Sequence, residues 1–156
     1  MPKNKLLVIA VFALAFVVGL AMAIDTATQS VQMQVNAICV LDVTGNPATL
    51  TISAPANGGD TPANATDSTT YAQYTSTVPS GQSRLMTAKW GGSDAAPGGC
   101  SLKLTATPSG GTNQGTSAGQ VTISSTAQSI ITTIRSCATG RNPTSGAQLA
   151  YVLSVE

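Results

Sequence analysis

The chain reads as an all-β protein: an antiparallel β-sandwich of about eight short strands, preceded by a helical signal peptide. Three observations predict this. Beyond residue 23 the sequence is rich in Thr, Ser, Gly, Ala, Asn and Gln, and short apolar–polar alternations recur between Gly/Pro turns. No segment there keeps a helical period built from good helix formers. The opening residues carry the marks of an export leader.

Lys3 and Lys5 form a positive head, Leu6 to Ala21 is almost wholly apolar, and Ala21-Met22-Ala23 offers a small–x–small cleavage site. The expected organisation is 1–23 signal peptide, 24–36 N-terminal extension or donor strand, and 37–156 β-sandwich domain. An uncleaved anchor is the main competitor, since Leu6 to Ile24 is long enough to span a bilayer. The first cysteine is Cys39, too far from the cut for a lipoprotein. No acid interrupts the apolar run, which argues against a type IV pilin. The expected location is secreted: extracellular, cell-surface or periplasmic, with membrane contact only through the leader during export.

Seven basic residues face six acids, and two of the basic ones, Lys3 and Lys5, belong to the leader. No run of either sign remains, so no nucleic-acid partner is expected. Cys39, Cys100 and Cys137 would meet an oxidising compartment, where a pair should bridge. Cys100 and Cys137 both sit at segment ends, so Cys100–Cys137 is the favoured disulfide. Cys39–Cys100 is the alternative. A leftover Cys39 reads as a small buried apolar residue, or as an intermolecular bridge.

The elements follow in order. From Gln29 to Val43, the residues Val31, Met33, Val35, Ala37, Cys39, Leu41 and Val43 share one parity. That predicts a long strand, or two joined by a bend. Gly45-Asn46-Pro47 makes a turn, and Thr49 to Ser53 predicts a short strand. Ala56 to Thr70 predicts a surface loop; its Asn64-Ala65-Thr66 fits the glycosylation triplet only weakly. Tyr71 to Trp90, turning at Pro79-Ser80-Gly81-Gln82, predicts a hairpin with Met86, Ala88 and Trp90 on one face. Ser101 to Thr107 predicts a strand with Leu102, Leu104 and Ala106 inward. Gln120 to Ser124, Gln128 to Cys137 and Leu149 to Val155 complete the set. The Thr and Ile content of Ser125 to Arg135 favours strand over helix.

The search for chemistry finds little. The chain has no histidine, which removes the usual base of Ser and Cys hydrolases and the commonest metal ligand. The cysteines lack paired short spacing, so no zinc is expected. The six acids are scattered in loops and near termini, against paired-carboxylate catalysis. Asp60 and Asp67 with Asn57 and Asn64 match no calcium-loop spacing. The expectation is no catalytic residue, no metal and no cofactor: the protein is not read as an enzyme. Tyr71, Tyr74 and Trp90 would form an aromatic platform for a surface glycan if they shared a face, although a lone Trp in a small β-domain is more often core.

The stretch Val31-Gln32-Met33-Gln34-Val35 alternates cleanly, lacks charge and precedes the domain body. A mobile strand of this kind can fill the sheet edge of a second copy, and repeated head-to-tail contacts give a filament. Pairing within its own domain as a first strand is the competing reading.

The leader, the alternating segment into Cys39, and the closing Leu149-Ala150-Tyr151-Val152-Leu153-Ser154-Val155 together resemble secreted fimbrial and spore-coat-type subunits. That resemblance implies an immunoglobulin-like sandwich, a cysteine after the first alternating strand, and subunits joined by donated strands. The chain departs from the pattern in its third cysteine and in lacking the penultimate tyrosine of chaperone-assembled pilins. The resulting expectation is a structural subunit of an extracellular fibre or surface assembly that self-associates, with Val31, Met33 and Val35 as inserted side chains. The alternative is a monomeric secreted binding module, carbohydrate-binding or adhesive.

Overall fold

A computed structural model describes residues 31–91 and 95–156. The expected signal peptide, residues 1–23, lies outside the described residues. Two units are distinguished, residues 1–34 and Val35–Glu156, and the second holds every strand described below.

That unit is all-β, with nine strands among the described residues and antiparallel pairing throughout. The strands are β1 (Cys39–Thr44), β2 (Ala65–Ser76), β3 (Arg84–Ala88), β4 (Cys100–Thr107), β5 (Thr116–Ser117), β6 (Gln120–Thr122), β7 (Gln128–Ile134), β8 (Cys137–Ala138) and β9 (Ala147–Val155). The larger sheet runs β1-β2-β9-β4-β6, with β8 pairing the end of β2; the smaller runs β3-β7-β5.

Alternation decides which side chains meet. In β2, Thr70, Ala72, Tyr74 and Ser76 are buried and their neighbours are not. Across the ladder Ala106 faces Leu149 and Leu104 faces Tyr151, so the expected inward set of β4 holds. The smaller sheet contributes Met86, Ile130, Ile131 and Ile134 to the same core. Trp90 and Ala88 pack against that cluster with Val121, Leu102, Cys137 and Tyr151. Ile130 and Ile131 are adjacent yet both buried, because β7 breaks register with β3 around Met86. A second irregularity, between Arg84 and Met86, coincides with Thr133, a β-branched residue at φ 57°.

Several expectations are corrected. The segment Thr49 to Ser53 forms no strand, and residues 31–38 carry none. The supposed loop Ala56 to Thr70 contains the first half of β2. Asp67 bends that half: its carboxylate accepts from the Thr69 amide at 3.0 Å and the Thr69 hydroxyl at 2.9 Å, where the β2–β9 register shifts. The Thr69 amide chiefly lowers the Asp67 carboxyl from its ordinary value; burial opposes it, and the Thr69 hydroxyl and the Ala48 amide add to the lowering.

The Tyr71-to-Trp90 hairpin does not form. The turn exists, with the Gln82 amide donating to the Pro79 carbonyl at 3.1 Å, but it carries the chain from one sheet to the other. Beyond β2 the Val78 backbone is gripped by the Ser136 hydroxyl, which accepts from its amide at 3.0 Å and donates to its carbonyl at 3.2 Å. The next strand therefore pairs with β7 instead of folding back on β2.

The Cys100–Cys137 bridge is also absent: all three cysteines are free. Register explains why. Cys100 lies opposite Val155 and Cys137 opposite Ser76, at opposite ends of the large sheet. At ~3.3 Å per residue they stand tens of ångströms apart, beyond the ~7 Å Cα limit of a disulfide. Cys39–Cys100 fails for the same reason, since Cys39 also lies opposite Ser76.

Candidate interaction site at the open border between two sheet edges

Both sheets end on the same side of the molecule. β1 is the last strand of the large sheet and β3 the last of the small one; among the described residues each has a ladder on one flank only. Register fixes what β1 turns inward: Cys39, Leu41 and Val43 stand beside Ser76, Tyr74 and Ala72, the buried face of β2. The parity read in the sequence is right, yet Leu41 is 53% exposed and Val43 51%. The small sheet stops at β3 and does not cover β1, so these side chains face the gap between the edges.

The gap holds two neighbouring cavities. One, of about 200 Å³, is lined by Cys39 and Leu41 from β1, Tyr74 and Ser76 from β2, and Arg84 and Met86 from β3. The other, of about 180 Å³, is lined by Leu41, Val43, Met86, Ala88, Ile130 and Leu149 among others. Leu41, Met86 and Thr87 line both, so the cavities adjoin end to end and together make a trough along the border. Each exceeds the ~150 Å³ void that accommodates a benzene-sized apolar group. The walls are mainly apolar, with Tyr74, Thr87 and Tyr151 among the aliphatic side chains, and polar groups gather at one end. There Ser76 is buried with its hydroxyl unpartnered, and the Arg84 Nε is likewise buried without a partner; the Arg84 Nη2 reaches the Thr77 carbonyl at 3.5 Å.

The floor of the trough is fixed by Tyr74. Its hydroxyl donates to the Gln114 carbonyl at 2.5 Å, and burial pushes its phenol up to about 12 with the nearby Cys137 adding to the effect. The buried Gln114 in turn organises its own loop: its side-chain oxygen accepts from the Ser109 hydroxyl at 2.7 Å and the Gly111 amide at 3.0 Å. Burial also pushes the Cys137 thiol up.

The residues expected to act at a site fall as follows. Val31, Met33 and Val35 are 67%, 88% and 78% exposed and belong to no strand. Tyr71, Tyr74 and Trp90 are not gathered on one face. Tyr71 and Tyr74 have opposite parity on β2, Tyr74 is buried, and Trp90, just past the end of β3, packs against the core. Asp60 belongs to a tight turn, where its carboxylate accepts from the Asn57 side chain at 3.1 Å. Among the described residues no group of three acids or cysteines is placed to hold a metal. Arg84 and Ser76 were not foreseen. The only signal for them was an Arg sharing the parity of Met86 and Ala88.

No protein-family profile, curated protein or solved structure matches this chain.

Proposed function

We propose that the protein is a structural subunit of an extracellular fibre or surface assembly, its two sheets forming an immunoglobulin-like sandwich, with subunits joined by β-strand donation. The role is architectural, not catalytic. The open border supports this reading: an edge strand, β1, with Leu41 and Val43 half exposed above a mainly apolar trough. An exposed apolar edge of this kind is an aggregation hazard unless something covers it. A strand laid there would add a ladder to β1 and bury its alternate side chains in the trough. The uncharged segment Val31 to Val35 has the alternation such a guest needs. The carbohydrate reading has less to rest on, because Tyr74 is buried, Trp90 packs against the same core and Tyr71 lies on the other face of β2.

The test compares the exported protein with a deletion of residues 24–35 and with Leu41→Ser, by sedimentation and negative-stain microscopy. Expected are filaments or long oligomers from the intact protein and folded monomers from both variants. Assembly that survives the deletion would remove strand donation.

A further inference from the structure

The trough is polar at one end and apolar along the rest, and the amino-terminal segment carries the same order. Read at alternate positions it runs Gln29, Val31, Met33. We propose that the trough receives this segment from a second copy of the chain, running parallel to β1. Gln29 then meets Ser76 and Arg84, Val31 fills the cavity between Leu41 and Met86, and Met33 fills the cavity of Val43, Ala88 and Leu149. The inference rests on the strand-donation reading and adds direction and register to it.

Three observations carry it. The first is the pair of orphaned polar groups. The Ser76 hydroxyl and the Arg84 Nε are buried without partners at the Cys39 end, and buried polar atoms are nearly always satisfied. A glutamine side chain supplies an acceptor for the guanidinium and both an acceptor and a donor for the hydroxyl. The second is spacing. Alternate residues of an added strand repeat at the interval of β1's own alternate residues, so positions 29, 31 and 33 fall on the rows of Cys39, Leu41 and Val43. Ser30 and Gln32 then face water. The reverse direction sets Met33 against Arg84 and sinks Gln29 among Val43, Ala88 and Leu149.

The third observation identifies the source as another copy. Residues 36–38 continue the line of β1 past its end. The Thr77 amide donates to the Ile38 carbonyl at 2.9 Å, the Ile38 amide to the Thr77 hydroxyl at 2.7 Å, and that hydroxyl to the Asn36 carbonyl at 2.8 Å. Val35 accordingly lines a surface hollow with Val78 and Pro79, past the Cys39 end of the trough. A parallel neighbour of β1 from the same chain would need a crossover of a dozen or more residues, and only Asn36, Ala37 and Ile38 separate Val35 from Cys39.

Native Cys39 is free and stands on the polar row, which makes it a built-in reporter. Full-length exported protein carrying Gln29→Cys, and separately Met33→Cys, is oxidised with oxidised glutathione and run without reductant; peptide mapping identifies the bridge. The expected result is a reducible ladder of oligomers for Gln29→Cys, joining position 29 of one copy to Cys39 of the next. Met33→Cys should link at least about tenfold less, because a bridge needs Cβ atoms within ~4.5 Å. Linkage at Met33→Cys in place of Gln29→Cys would overturn the direction while leaving strand donation standing. Polymers that form with neither linkage would remove this trough as the acceptor. A bridge confined within one monomer would overturn the second-copy source. Failure of the unsubstituted protein to polymerise would remove the strand-donation reading itself.

Discussion

The Tyr74 hydroxyl is bonded to the Gln114 carbonyl at 2.5 Å, forty residues along the chain. This one contact ties the inner face of β2 to the loop that leads into the small sheet. Tyr74→Phe keeps the ring and strands a buried carbonyl, which costs about 1–3 kcal/mol. A urea titration should show a lower midpoint with an unchanged slope. An unchanged midpoint would mean that the loop is held without the phenol.

The same phenol sets an alkaline limit. Burial raises Tyr74 from an ordinary value of 10.0 to about 12, and also raises Tyr151, where the Asp67 charge adds to the effect. The unfolded chain therefore loses these protons first. Where it does, it binds fewer protons than the folded protein, so stability falls as pH rises. The contribution is intact below pH 10 and disappears as pH climbs towards 12. Urea midpoints followed from neutral to strongly alkaline pH should decline across that window. The decline should be shallower in Tyr74→Phe, and a flat profile would contradict the assignment.

Gly146 is where β9 starts. Its φ is +105°, and an added Cβ would run into the Ala72 carbonyl, so both the backbone conformation and the space require glycine. Gly146→Ala should cost about 2 kcal/mol or more. Gly59, at φ +94° with nothing near its missing Cβ, is the control. Gly59→Ala should cost distinctly less in the same thermal melt, and equal losses would show that crowding against Ala72 contributes nothing.

Free thiols give a direct check on the sheet register. All three cysteines should react with a disulfide reagent in the unfolded, unreduced protein. In the folded protein exposed Cys39 should react first. Cys137, half buried and with its thiol pushed up by burial, should react slowest, since the thiolate is the nucleophile. A count below three in monomeric, unreduced protein would indicate a bridge.

What was legible in the sequence depended on the range of the signal. The inward faces of β4 and β9, and the parity of Cys39, Leu41 and Val43, follow from local alternation, and local alternation is enforced by the pleat itself. The fate of the Pro79–Gln82 turn was not legible. A tight turn between two alternating runs usually closes a hairpin, but here the Ser136 hydroxyl, fifty-eight residues away, captures Val78 and redirects the chain. Thr49 to Ser53 alternates as well as many strands do, yet alternation without a neighbouring ladder makes no strand. The cysteine pairing failed for a related reason: Cys100 and Cys137 both mark segment ends, and which end of the sheet each occupies is a matter of long-range register. At the border, parity identified Leu41 and Val43 as inward-facing, but it could not tell that the opposing sheet would stop one strand short.

The placement of β9 between β2 and β4, with β1 at the margin, has a mechanical meaning. A force drawn along β9 must shear ladders on both flanks at once, so the load spreads over many bonds loaded in parallel. A force that lifts β1 from its margin meets one ladder of six residue pairs and breaks it a pair at a time. Tension transmitted through the middle of the larger sheet is therefore resisted far more strongly than tension that peels its border.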